Sequence, residues 1–205
     1  LRLVGSEMCI RDRNIPYAQY IKGDLDFAKN IVIDNRNSIA FHIGGGIAIP
    51  YGNARMIPFE KRYFSGGANS VRGWSVRSLG PGTFSDEKGN FMNQSGDIKL
   101  DASIEYRTRL FWKFRGALFV DAGNIWTIRE YQDQPGGKFK FDQFYKQIAV
   151  AYGLGLRLDL DFFILRFDGG MKAVNPAYET KKEHFPIIHP LSLIHISEPT
   201  RRRGI

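Results

Sequence analysis

The sequence predicts an all-β chain, part of an antiparallel transmembrane β-barrel. Three observations point there. Apolar and polar residues alternate with a period of two in six stretches. Those stretches run to roughly 9–13 residues, the length a tilted strand needs to cross a bilayer, against about 5–6 in soluble sheets. The connections alternate between short turns and long polar loops, as they do on the two sides of an outer-membrane barrel.

Each stretch has an apolar row and a polar row. Ile21 to Ile33 sets Leu25, Phe27, Ile31 and Ile33 against Lys22, Asp24, Asp26 and Asn30. Ile39 to Ile49 sets five isoleucine or phenylalanine side chains against Ala40, His42, Gly44, Gly46 and Ala48. Lys99 to Arg107 places Leu100, Ala102, Ile104 and Tyr106 opposite Ser103, Glu105 and their neighbours. Arg115 to Asn124 places Leu118, Val120 and Ala122 opposite Ala117, Phe119 and Asp121. Gln147 to Asp159 alternates Ile148, Val150, Tyr152, Leu154, Leu156 and Leu158 with small residues, Arg157 and Asp159. Phe163, Leu165, Phe167 and Met171 complete the series against Arg166, Asp168 and Lys172. Charges mixed with glycine on the second face describe a wet lumen, while the first face meets lipid. A sheet in lipid must close, because nothing there satisfies an open edge. Aromatics near the strand ends (Phe111, Trp112, Trp126, Phe144, Tyr145, Phe162 and Phe163) are expected to form interfacial girdles.

The ends read differently. LVGSEMCIRDR (Leu3 to Arg13) and LSLIHISEPTR (Leu191 to Arg201) share no periodicity with the rest. One DNA string read on opposite strands encodes both, and it resembles a transposon-based sequencing adapter. The expected organisation is therefore adapter-derived sequence over 1–13 and 191–205, flanking a partial C-terminal barrel domain over 14–190. Cys9, the single cysteine, falls in the first segment, and three of the formal +8 charges fall in the two ends, leaving +5. That mild excess suits lipid phosphates or simple solubility.

A resemblance lies in the longest loop. Tyr63-Phe64-Ser65-Gly66-Gly67 precedes Val71-Arg72-Gly73-Trp74, and Leu79-Gly80-Pro81-Gly82 follows. This resembles the V-R-G-aromatic loop of the bacterial surface antigen family, the BamA- and TamA-type outer-membrane assembly factors. Ala102 to Tyr106, Phe119 to Trp126 and Gly153 to Arg157 resemble the strands that follow it in that family. The resemblance covers Tyr17 to Asn175. It implies about six of sixteen strands, the tenth to the fifteenth, with the last strand and the lateral seam outside the chain. It also implies a location in the bacterial outer membrane and a role in inserting nascent outer-membrane proteins. Membrane lipids and partner lipoproteins or periplasmic factors are implied as well, and no cofactor is.

In that family the loop folds into the lumen and its arginine meets inner-wall acids. Here the alternation turns Glu105 and Asp121 inward on adjacent strands, so Arg72 is expected to clamp the loop on both, using the planar fork of its guanidinium. Gly66, Gly67 and Gly73 would let the backbone turn and approach the wall, with Val71 and Trp74 completing the motif.

Other chemistry finds little support. Glu105 and Asp121 could be an acid/base pair, but an arginine between them suits a clamp. No catalytic residue and no metal site is expected. His42 lacks a companion at ligand spacing, and His184 and His189 imply no metal geometry. Gly44-Gly45-Gly46 lacks the Lys-Ser/Thr of a phosphate loop and fits a place where a loop approaches the wall. Arg107 to Arg115 (RTRLFWKFR) reads as an interfacial anchor rather than a nucleic-acid site. Two alternatives stay open: a passive pore or secretion transporter, and the barrel of an enzyme-linked outer-membrane protein carrying a lipid hydrolase.

Overall fold

Alternating sequence becomes a single antiparallel meander. The computed structural model describes residues 2–8, 19–54, 56–85, 92–160, 163–178 and 193–201. The strands are β1 (Arg2–Met8), β2 (Gln19–Val32), β3 (Asn37–Tyr51), β4 (Ile98–Arg109), β5 (Phe114–Trp126), β6 (Ala149–Leu160), β7 (Phe163–Val174) and β8 (Leu193–Arg201). Each pairs with its sequence neighbours, in the order β1 to β8. Among the described residues the sheet is open, with β1 and β8 at its edges. β2 to β7 are the six strands expected from the alternation. β1 and β8 lie in the terminal segments set apart by their sequence, and they pair with β2 and β7, whose outer N–H and C=O groups form a template for any extended segment.

Register fixes which side chains share a face. On one face Phe41, Ile104, Val120, Tyr152 and Met171 stand opposite one another across five strands. On the other, His42, Ser103, Asp121 and Ala151 do the same. The apolar row is bare: Ile43, Ile104, Leu118 and Leu154 are all exposed, Leu154 by 63 %. Among the described residues no buried core lies beneath it, so lipid is its natural solvent. Leu154→Arg, in the middle of β6, is therefore expected to destabilise the protein in vesicles by about 2–4 kcal/mol. Urea titration scored by heat-modifiable gel mobility checks this; no shift would mean the face is in water.

Short turns close tightly at one end. Asp34 and Asn37 exchange backbone hydrogen bonds at 3.1 Å, and Asp34 Oδ1 accepts from the Asn35 N–H at 2.7 Å. The β4–β5 turn closes with the Phe114 N–H donating to Phe111 O at 2.9 Å, and Phe111 and Trp112 beside it are exposed. Exposed Tyr145 also suits the girdle. Trp126 departs from that expectation. It is completely buried, donates from Nε1 to Gln147 Oε1 at 2.8 Å, and packs edge-on against Phe139 and Phe144. A loop covers this strand end, so its tryptophan meets protein instead of the interface. Gln147 itself ends a 3-10 turn, Phe144–Gln147, and β6 starts two residues later than its alternation suggests. Phe162 and the side chain of Phe163 lie outside the described residues, as do His184 and His189.

Candidate functional site: the arginine loop on the inner wall

The long segment between β3 and β4 folds back across the polar face. Tyr63 and Gly96 exchange backbone hydrogen bonds at 2.9 and 2.8 Å, and Ser65 bridges Leu79, so the intervening chain forms a finger. Its backbone reverses at Gly66 and Gly67, with φ of 97° and 91°. Those values suit glycine, and a Cβ on Gly66 would lie 2.2 Å from Ser75 O. At the tip, Val71, Trp74 and Leu79 bury against Ala149 and Ala151 of β6. The small inward residues of β6 thus have a reason: they are the floor on which the finger lies. Gly73 fits there closely, since its own Cβ would come within 2.8 Å of Ala151 Cβ.

Arg72 projects from this tip into a ring of acids and is only 2 % exposed. Its Nε and Nη2 donate to Asp121 Oδ2 and Oδ1 at 2.6 and 2.7 Å, a bidentate fork. Its Nη1 donates to Glu105 Oε2 at 2.9 Å and lies 3.5 Å from Asp168 Oδ2. Nη2 also reaches Ser103 Oγ at 3.2 Å, and the Arg72 backbone N–H donates to Asp121 Oδ2 at 3.2 Å. The guanidinium carbon stands 3.4 Å from the centroid of the Phe119 ring. Asp121 is opposite Ser103 and Glu105 is opposite Phe119, so the two acids are diagonal neighbours on paired strands, close enough for one guanidinium.

A buried ion pair stabilises only if its remaining hydrogen-bonding capacity is also met. That condition holds at Glu105 and Asp121. Ser103 Oγ donates to Asp121 Oδ1 at 2.7 Å, Arg107 Nε donates to Glu105 Oε1 at 2.7 Å, and Arg157 donates to the same oxygen. Both carboxylates are saturated by donors. Burial alone would weaken the charged form of Arg72, but Asp121 and Glu105 outweigh it and push its pKa above the ordinary arginine value. The guanidinium that meets these carboxylates is thus a permanent cation.

The structure thus brings together Arg72, Glu105 and Asp121, with Val71, Gly73, Trp74, Gly66 and Gly67 supporting the tip. Ser103, Phe119, Asp168 and Gly170 also form the socket, and sequence reasoning assigned none of them. Two signals were present: an aromatic on a polar face at Phe119, and a glycine pair inside a strand at Gly169-Gly170. The glycine run in β3 has a similar explanation. A Cβ on Gly46 would lie 2.5 Å from the Tyr63 ring, whose hydroxyl donates to Asp24 Oδ1 at 2.5 Å. Burial and then Asp24 push the Tyr63 pKa well up, so it remains a donor.

A second lock was not anticipated. Arg62 Nε donates to Asp97 Oδ1 at 3.2 Å, both side chains being buried, and Arg62 Nη2 reaches Gln134 Oε1 at 3.4 Å. Asp97 Oδ2 accepts from the Ile128 N–H at 3.1 Å, and Gln134 Nε2 donates to Ser95 O at 3.1 Å. This ties the first long loop to the second, which follows β5. Arg62→Ala leaves a buried carboxylate short of its main donor. It is expected to destabilise the long-loop end by about 1–3 kcal/mol, read as faster proteolysis after Arg129 while the β4–β5 turn stays protected.

His42 sits between Asp26 Oδ2 at 3.0 Å and Asp101 Oδ2 at 3.5 Å. Among the described residues no group of three or more His, Cys, Asp or Glu side chains has metal-binding geometry. No described helix is long and apolar enough to cross a membrane, which says nothing of strands.

Known proteins share this architecture. The chain is 36 % identical over 102 residues to the outer membrane protein assembly factor BamA of Neisseria meningitidis serogroup B, covering 44 % of this chain and 12 % of that protein. It is 28 % identical over 159 residues to the human sorting and assembly machinery component 50 homolog, covering 72 % of this chain and 33 % of that protein. The crystal structure of BamA from Haemophilus ducreyi lacking POTRA domains 1–3 superposes with a TM-score of 0.57 at 21 % identity, over 75 % of this chain and 31 % of that one, which establishes a shared fold. The chain therefore spans a third or less of each of these relatives. The Omp85 superfamily domain matches residues 16–187, most of the sequence, and this chain belongs to the Omp85 superfamily.

Proposed function

We propose that this chain supplies part of the wall, and the locking loop, of a factor that assembles proteins in the bacterial outer membrane. The observation that carries the reading is the Arg72 socket, where a loop with the V-R-G-aromatic pattern is pinned by Asp121 and Glu105 inside a sheet whose other face suits lipid. Relatives named as assembly factors in bacteria, and as sorting and assembly machinery in animals, support it. The mechanism is non-covalent: carboxylates saturated by donors hold a shape and move no proton. Nascent outer-membrane proteins are the clients, membrane lipids the surroundings, and lipoproteins or periplasmic factors the partners. The domain match, running from 16 to 187, also supports the assignment of 1–13 and 191–205 to adapter sequence, which resequencing the parent gene tests.

The test uses the full-length protein in liposomes with a urea-unfolded small barrel as client. Folding of the client, scored by heat-modifiable mobility, should accelerate over empty liposomes, and Arg72→Glu should abolish the gain. Ion conductance without any acceleration would instead establish the passive-pore reading.

A further inference from the structure

At the short-turn end of the inner face, arginine stands opposite arginine on three successive strand pairs. Arg109 is in register with Arg115, Arg115 with Arg157, and Arg157 with Arg166. Opposed side chains in an antiparallel ladder are about 4.5–5.5 Å apart at Cβ, and like charges there destabilise the sheet. Such a row needs compensation, and the described carboxylates are shared among several arginines. Asp159 accepts from Arg115 at 2.8 Å, Asp168 accepts from Arg166 at 2.5 Å, and Glu105 is shared by Arg107, Arg157 and Arg72.

Arg107, Arg115, Arg157 and Arg166 line one cavity of about 280 Å³, with Asp159 as the only acidic lining residue among the described residues. Four guanidiniums bring about twenty N–H donors, far more than these shared carboxylates engage. One unmet donor is specific: Arg157 Nε is buried without a partner. Clustered planar forks around a small wet space match the geometry of phosphate and carboxylate groups.

We propose that this cavity is an oxyanion site, taking a phosphate or carboxylate group between Arg107, Arg115, Arg157 and Arg166. Its lining lies on the polar face, so the ligand arrives from water: a free inorganic anion, or an acidic side chain of a polypeptide within the lumen. The proposal does not depend on the assembly role.

The probe is inorganic phosphate, followed by ³¹P line width with the full-length protein in a phosphate-free detergent at low ionic strength. The wild type should broaden the signal saturably. An aspartate-rich tetrapeptide that displaces phosphate, where its asparagine counterpart does not, assigns the site to peptide carboxylates as well; failure to displace assigns it to the free anion. Arg115→Gln combined with Asp159→Asn removes one cation and its counterion together, away from Arg72, and should weaken binding about tenfold. Arg166→Lys keeps the charge but loses the fork and should also weaken binding, which guards against a folding defect in the first variant. No broadening by the wild type, or both variants binding as tightly as it does, overturns the proposal.

Discussion

Arg72→Ala is expected to free the finger from the wall, abolish the proposed assembly activity and destabilise the protein by about 3–5 kcal/mol. The size follows from what remains. Asp121, Glu105 and Asp168 are buried, and the guanidinium contacts all three. Removing it strands Asp121 most severely, because only Ser103 among its described side-chain partners remains. Lysine is a poor substitute. One ammonium cannot hold both Asp121 oxygens and Glu105 while lying flat on Phe119, so Arg72→Lys should fall between wild type and alanine. The measurements are urea titration in vesicles and cleavage of the segment 66–82 by added protease. Adding Asp121→Asn to Arg72→Ala should recover part of the stability, because the stranded charge is gone, but none of the activity. Unchanged cleavage of the finger in Arg72→Ala would show that something other than this ion cluster holds the loop.

The second expectation concerns two adjacent glycines in β7. Gly170→Ala should undock the loop, at about 1–3 kcal/mol, while Gly169→Ala should stay within about 0.5 kcal/mol of wild type. A Cβ on Gly170 would sit 2.5 Å from Arg72 O and 2.8 Å from its carbonyl carbon, and a backbone cannot swing aside as a side-chain end can. A Cβ on Gly169 points to the other face, where its nearest neighbour is Leu154 O at 3.8 Å. Strand propensity changes equally in both, so the difference isolates the loop contact. Equal protease sensitivity in the two variants would remove Gly170 from the socket.

The strands were legible because lipid and water enforce opposite chemistry on alternate residues. Glu105 and Asp121 could be turned inward by parity alone, and adjacent strands then made them neighbours. Asp168 obeyed the same parity, but nothing in the sequence says how far the finger reaches across β6 to β7. Trp126 was misjudged for a related reason: a strand-end aromatic reads as an interface anchor unless one knows that Gln147 and Phe139 fold over it. The Arg62–Asp97 pair lies within the first long loop and reaches the second through Gln134 and Ile128, where no period exists to read. Pairing between loops depends on their conformation, which sequence spacing leaves open.

One finger touches four consecutive strands: Ser103 and Glu105 on β4, Asp121 on β5, Ala151 on β6, and Asp168 and Gly170 on β7. It works as a batten nailed across planks. Peeling any of these strands from the next requires tearing ion pairs or packing from the batten as well as unzipping a ladder. These four strands therefore shift as one panel, stiffer than their ladders alone would make it.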